Sequence, residues 1–442
     1  MKNVVKIGFL LLLFLCGSRL SMAQITDSTS TPAELWLRLK KTLPDPGFTI
    51  LKDEIVDSYT DPNIKLRRVE FTFCSMDYYG GRWMHPSVLF MPVDPGIYQN
   101  GDRRGKIVIV AHHDEETESF LYNYGDPIAT LTGYPTLILP NPGIGREQDF
   151  HQMIEREINK QVTDPIDHNY FRSGVPYLLA LDFMADILGI DREEVRAIIG
   201  GHSKRATGAY NAAAVDSKRI VGVVYMGNES LWHITNGYPN VRPGVINKWV
   251  KAKVLYLGAT NEDGYCMYNI NKIQQIMGGK WTIQYTPNYR HAARSEKHFL
   301  DWRMWIKHVF EGRPVTVIDD LTYREVDKGF VWQGKTVEGG TLFRARIQSQ
   351  NKIIQAKVWY VYNDDEPFWR DLVWYPEMMV PTGDGYYEGY VKGKLPDAWL
   401  VEVKDIAAGT PGYVSSLPQD ITGLRTETKT SRGSRSRHWA PK

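Results

Sequence analysis

Apolar residues in this chain fall into short unbroken runs, separated by stretches that are apolar along one side only. The runs are Lys106 to Ala111, Thr136 to Leu139, Ala197 to Ile199, Ile220 to Met226, Lys253 to Gly258 and Thr282 to Tyr285. A run that is apolar at consecutive positions predicts a strand covered on both faces, because alternate side chains point to opposite sides of a sheet. Two more strand-like runs, Arg67 to Phe73 and Val88 to Pro92, come earlier, after a polar lead-in to about residue 60 that holds one amphipathic segment, Ala33 to Leu43. Helical spacing marks Tyr177 to Leu188, Tyr268 to Met277 and Glu296 to Phe310. Strands alternating with helices predict an α/β unit with a mostly parallel sheet, over residues 24–312.

The pattern changes after Gly312-Arg313-Pro314. Thr341 to Ile347, Ile353 to Tyr362 and Leu400 to Val403 alternate apolar and polar residues between turns rich in Gly and Pro. That predicts a separate β-sandwich domain over residues 313–420. Its tryptophans, Trp359, Trp369, Trp374 and Trp399, are expected in the sandwich core, with a carbohydrate-facing surface as the alternative.

Both chain ends read differently. Lys2 and Lys6 precede an apolar run from Ile7 to Cys16, and Ser21-Met22-Ala23 places small residues before Gln24. This predicts a signal peptide over residues 1–23 and an exported protein, periplasmic or secreted. The run is too short to span a bilayer. Leu15 is larger than the small residue expected before a lipidated cysteine, so a lipid anchor on Cys16 is the less favoured reading. No later stretch is apolar enough to span, so no integral membrane segment is expected after cleavage. Residues 421–442 carry Arg425, Lys429, Arg432, Arg435 and Arg437 among Ser and Thr, and are expected to form a disordered basic tail.

Net charge changes the picture little. At +2 the chain lacks the basic field that drives nucleic-acid binding, and no nucleic-acid partner is expected. Two cysteines, Cys74 and Cys266, follow the signal segment. A disulfide is open to them in an oxidising compartment, but nothing requires it. No cysteine zinc pattern exists.

The candidate chemistry begins at Ala197-Ile198-Ile199-Gly200-Gly201-His202-Ser203-Lys204-Arg205. A buried strand runs into two glycines and a serine, and a run of small residues suited to a close-packed helix follows. Gly201-His202-Ser203 matches the first three positions of the G-x-S-x-G nucleophile elbow, and Arg205 stands where the second glycine would be. Such an elbow exposes a hydroxyl that is a weak nucleophile until a base takes its proton and donors stabilise the oxyanion. An N-cap serine on a Gly-Gly turn is the bland alternative.

A serine on this fold needs an acid and then a histidine, each just after a later strand. The run Lys253 to Gly258 leads to Glu262 and Asp263, and the run Thr282 to Tyr285 leads to His291. Asp263 is the preferred acid because Gly264 follows it, and Glu262 is the alternative. Backbone N–H groups of Lys204, His113 and Asp114 are the candidate oxyanion donors. The cluster His112-His113-Asp114-Glu115-Glu116 has a rival reading as a metal site. Adjacent loop residues seldom converge on one ion, so no metal and no cofactor are expected. Arg205 is expected to serve internally, beneath the elbow, rather than to meet substrate.

His202-Ser203-Lys204-Arg205, followed by Ala213-Ala214-Val215-Asp216, resembles the PhoPQ-activated pathogenicity-related family. The resemblance continues at 258–263, at Pro287-Asn288-Tyr289-Arg290-His291, at 310–314 and at 400–403, and so spans about residues 85 to 405. Ala206 stands where that family carries glycine. The resemblance implies an α/β-hydrolase-like domain with Ser203 as nucleophile, His291 as base and the Glu262–Asp263 turn as acid. The elbow run is also similar to those of glucuronoyl esterases and acetyl xylan esterases. Together these imply a serine hydrolase acting on a small-molecule ester, a carbohydrate ester or a peptide, with an ester favoured. A serine peptidase or an inactive binding protein of the same fold is the alternative.

Overall fold

The computed structural model describes residues 29–78, 81–94, 96, 103–113, 117–141, 164–228, 240–262, 269–278, 281–363 and 371–421. The expected signal peptide, the basic tail from residue 422, Asp114, Asp263, Cys266 and Trp369 lie outside the described residues, as does the side chain of His113.

Nine strands form one sheet: β1 (Thr49–Asp57), β2 (Lys65–Tyr78), β3 (Gly81–Pro92), β4 (Lys106–His113), β5 (Thr136–Asn141), β6 (Arg196–His202), β7 (Ile220–Met226), β8 (Lys253–Ala259) and β9 (Thr282–Thr286). Their order is β1-β2-β3-β5-β4-β6-β7-β8-β9. The strands from β5 to β9 run parallel, while β1, β2 and β3 pair antiparallel and β3 meets β5 antiparallel. An antiparallel entry, an exchange of β4 and β5, then a parallel series make this an α/β-hydrolase-like sheet.

The unbroken apolar runs have the predicted cause. On β4, Ile107 and Ile109 enter the core on one face, while Val108 and Val110 enter the core on the other. Six helices of seven residues or more are described: α1 (Pro32–Lys40), α2 (Asp126–Thr132), α3 (Val175–Leu188), α4 (Lys204–Val215), α5 (Asn269–Ile276) and α6 (Glu296–Glu311). Helix α6 begins where Ser295 caps the His298 N–H and ends at Gly312, whose φ of 75° suits a glycine. Among the described residues no helix is long and apolar enough to cross a membrane.

The lead-in is not merely polar: β1 runs through it as an edge strand. Lys52, Asp53 and Glu54 break its apolar pattern, which hid it from sequence reading. Pairing with β2 and a two-pronged Arg67–Asp53 contact (2.8 and 2.6 Å) hold it. Charges on an edge strand also discourage pairing with other chains.

The C-terminal domain is a pair of antiparallel sheets. One contains β10 (Val317–Val326), β13 (Gly340–Gln348), β17 (Tyr386–Lys392) and β16 (Val380–Gly383); β11 (Val331–Trp332) and β12 (Lys335–Thr336) form a separate hairpin. The other contains β15 (Trp374–Met378), β14 (Lys352–Val361), β18 (Ala398–Ala407) and β19 (Thr410–Ser415), with β20 (Gln419–Asp420) beside β18. Trp399 is buried with the sandwich residues, as expected, whereas Trp374 is buried in the core beside the parallel sheet; Trp359 is half-buried, its Nε1 donating to Glu402 at 3.3 Å.

The two domains share their apolar interior. Trp302 and Met304 of α6 cluster with Val401 and Trp399, and Trp374 and Leu400 join the core beside the parallel sheet. Buried polar contacts cross the same seam. Tyr413 N–H donates to Asp301 at 2.6 Å and Lys297 pairs with Glu402, while Arg313 pairs with Asp405 at the start of the β-sandwich. Burial pushes the Asp301 carboxyl well above the usual carboxylate range, against the Tyr413 hydrogen bond.

Two buried histidines set a pH dependence. Burial lowers both His85 and His298 from 6.5 to about 4, although His85 bonds the Pro140 carbonyl and His298 bonds the Gly258 backbone. Between those values the unfolded chain binds protons that the folded chain refuses. Stability contributed by these two groups is therefore complete above the unfolded value and is lost as pH falls from about 6.5 to about 4. The urea midpoint is expected to drop across that window at fixed ionic strength, and the drop should be shallower in His85→Gln.

Candidate active site

The site is built at the carboxyl ends of β6, β8 and β9. At the end of β6 the chain turns into α4 with no room to spare. A Cβ on Gly200 would lie 2.6 Å from the Trp302 ring and from the Val224 carbonyl oxygen. One on Gly201 would lie 2.5 Å from Arg205 Cβ and 2.6 Å from the Tyr177 hydroxyl. Gly201 and residue 205 therefore meet face to face, and one side of that contact must lack a side chain. Gly201 supplies the space, which is why arginine is tolerated where the elbow pattern has its second glycine. The Arg205 side chain is fully buried, in keeping with an internal role. The Tyr177 hydroxyl lies 3.2 Å from the carbonyl oxygens of both Gly200 and Arg205 and ties the elbow to α3.

Ser203 sits at the apex with φ 57° and ψ −125°. A residue with a Cβ pays roughly 1–3 kcal/mol to hold such a backbone, and strain of this kind concentrates at functional sites. The surroundings enforce it. The Ser203 N–H donates to Met226 O at 2.8 Å, its carbonyl accepts from Ala206 N at 3.0 Å, and Asn228 Nδ2 donates to the same carbonyl at 3.3 Å. Asn228 also donates to Thr207 Oγ1 at 2.9 Å, so one side chain braces both the apex and the first turn of α4. Lys204 is the first residue of that helix, where backbone N–H groups have no acceptor within the helix and the dipole favours negative charge.

His291 follows β9 and Glu262 follows β8, and the two loops are stitched together. Thr260 N bonds Thr286 O at 3.1 Å, Asn261 N bonds Tyr289 O at 3.0 Å, and Asn288 N donates to Thr260 Oγ1 at 2.9 Å. This brings Glu262 Oε2 to 2.8 Å from His291 Nδ1. The Glu262 side chain is 2% exposed and that of His291 is 27% exposed, so a buried carboxylate faces a partly open imidazole. A carboxylate only accepts, so the Nδ1 proton is assigned to the ring and Nε2 is left as the basic nitrogen.

The imidazole lies against the elbow. The His291 and His202 rings are 4.5 Å apart at 38°, and His202 directly precedes Ser203. Gly227, at φ 55°, passes beside both: a Cβ there would lie 3.0 Å from His202 Nε2 and 3.7 Å from His291 Cε1.

The structure thus brings Glu262 to His291 and the His291 ring beside His202, the residue before Ser203, while Asp263 falls outside the described residues. His113 ends β4, beside β6 in the sheet, where the oxyanion loop was expected. His112 is fully buried and stacks on Phe120 at 4.6 Å, which takes its ring away from the surface. Among the described residues no group of three or more His, Cys, Asp or Glu is arranged to hold a metal ion. Sequence reading passed over Asn228 and gave no role to Asn261 and Asn288, which stand inside the 258–263 and 287–291 runs. Each follows the end of a strand-like run, and asparagine in such a turn is the only available signal.

No protein-family profile and no curated protein matches the chain. Solved structures similar to it include an acetyl xylan esterase from Paenibacillus sp. R4, at 12% identity over 66% of this chain and 99% of that one, with a TM-score of 0.43. Another is acetyl xylan esterase 1 from Thermoanaerobacterium sp. JW/SL YS485, at 13% identity over 65% and 97%, with a TM-score of 0.41. Similarities this distant speak neither to chemistry nor to substrate.

Proposed function

We propose that this chain is an exported serine hydrolase that cleaves carboxylic esters through an acyl-enzyme on Ser203. The observation that carries the reading is the strained Ser203 turn, held beside a histidine whose far nitrogen is paired to a buried carboxylate. In the proposed cycle Ser203 Oγ attacks the acyl carbon as His291 Nε2 takes its proton, and Glu262 stabilises the imidazolium through Nδ1–H. The N–H of Lys204, with a second from the end of β4 near His113 and Asp114, holds the oxyanion. Collapse expels the alcohol, which receives the proton from His291, and leaves an acyl ester on Ser203. Water then attacks that ester, giving its proton to His291, and the carboxylic acid leaves as Ser203 regains a proton. No cofactor takes part. Export rests on the signal-like first 23 residues, and membership of the PhoPQ-activated pathogenicity-related family is part of the same proposal.

A fluorophosphonate probe tests this. The protein should be labelled once, at Ser203, and labelling should end its turnover of small acyl esters. A protein that is not labelled, or is labelled elsewhere, is not this enzyme.

A further inference from the structure

Between the two domains, one short segment of the β-sandwich touches both loops that carry the acid and the base. Asn288, three residues before His291, donates from Nδ2 to Trp374 O and accepts at Oδ1 from Trp374 N, each at 2.8 Å. Asn261, next to Glu262, donates from Nδ2 to Leu372 O at 2.6 Å. The two ties are linked. Asn288 N donates to Thr260 Oγ1, and Thr260 Oγ1 donates to Asn261 Oδ1 at 2.7 Å. A continuous chain of hydrogen bonds therefore runs from Trp374 through Asn288, Thr260 and Asn261 to Leu372. Leu372, Trp374, Thr260 and Asn261 are all buried, so the Thr260–Asn261 and Asn261–Leu372 bonds are shielded from water and expensive to break, whereas Asn288 reaches Trp374 from an exposed position. Arg290 and Asp371 add an exposed pair at 3.3 Å, which contributes little.

We infer that Leu372 and Trp374 of the β-sandwich, acting through Asn261 and Asn288, form a positioning clamp that sets the register of Glu262 on His291. The inference rests on the proposed serine-hydrolase reading and deepens it, because it gives the second domain a part in the same site. Two features favour a positioning role over simple adhesion. Asn288 holds φ at 55°, a conformation that asparagine tolerates and most residues do not, and its side chain copies a backbone pair with Trp374. Adhesion is already supplied elsewhere, by the apolar core that the domains share and by the Lys297–Glu402 pair.

The test is Asn288→Gly in the full chain, which removes both bonds to Trp374 without straining the backbone. Turnover is counted per Ser203 that a fluorophosphonate labels, so that misfolded protein drops out. The clamp predicts that kcat falls about 10- to 100-fold, as expected for a catalytic pair displaced by about an ångström. KM should stay within about twofold, since ground-state binding is untouched. Asn261→Ala, which cuts the tie to Leu372, should repeat the pattern and stands in if Asn288→Gly does not fold. Wild-type kcat per labelled site in these variants overturns the clamp and leaves the hydrolase reading intact. A wild-type protein that neither labels at Ser203 nor cleaves any acyl ester overturns both.

Discussion

Ser203→Ala is expected to lower the turnover of any acyl ester the wild type cleaves by about 10⁴- to 10⁶-fold, the loss seen when a nucleophile that works as part of a unit is removed. The residual rate should reflect binding and the oxyanion donors alone. The fold should be unaffected, because the backbone contacts that hold residue 203 come from Met226, Ala206 and Asn228 rather than from the hydroxyl. A companion variant separates strain from chemistry. Ser203→Gly also loses the hydroxyl, but glycine adopts φ 57° freely. It should be equally inactive and more stable than Ser203→Ala by about 1 kcal/mol, read as a higher urea midpoint. Full turnover in Ser203→Ala would remove the nucleophile from the scheme. Equal stability of the two variants would mean that the turn stores no strain.

The second large effect concerns the acid. Glu262→Gln keeps the shape of the buried side chain and replaces an acceptor by an amide that also donates. The amide can hold His291 in the opposite tautomer, with the proton on the nitrogen that should accept from Ser203. A loss of about 10⁴-fold in kcat is expected, with KM little changed. The effect should be large because the carboxylate is sealed from water and no solvent molecule can take its place. The neighbouring variant Asp263→Asn should stay within about tenfold of wild type, because it leaves the Glu262–His291 bond in place. Equal losses in both would detach the observed Glu262–His291 bond from catalysis.

Much of this architecture was legible along the chain. Runs such as Ile107 to Val110 are apolar at consecutive positions because both faces of the sheet are covered, and that cause is local enough to read directly. Gly200 and Gly201 announced a turn with no space for side chains, and Trp302 and Arg205 fill that space. Edge strand β1 was not legible, since its charges imitate a loop and its order comes from pairing with β2. The three asparagines were not legible either. Their partners Ser203, Thr207, Leu372 and Trp374 lie on other elements, and for Asn261 the separation is 111 residues.

The choice between adjacent acids marks the division. Sequence alone determined that an acid and then a histidine follow successive strands after the serine, because strand ends and turns are written in short-range patterns. Which carboxyl meets the imidazole is a matter of loop direction over a single residue. That direction is set by hydrogen bonds that Asn261 donates to the carbonyl oxygens of Tyr289 and Leu372, which folding brings to it from a distant loop and from the second domain. Only the tertiary structure could turn Glu262 onto His291, and it also drew the β-sandwich into contact with both of their loops.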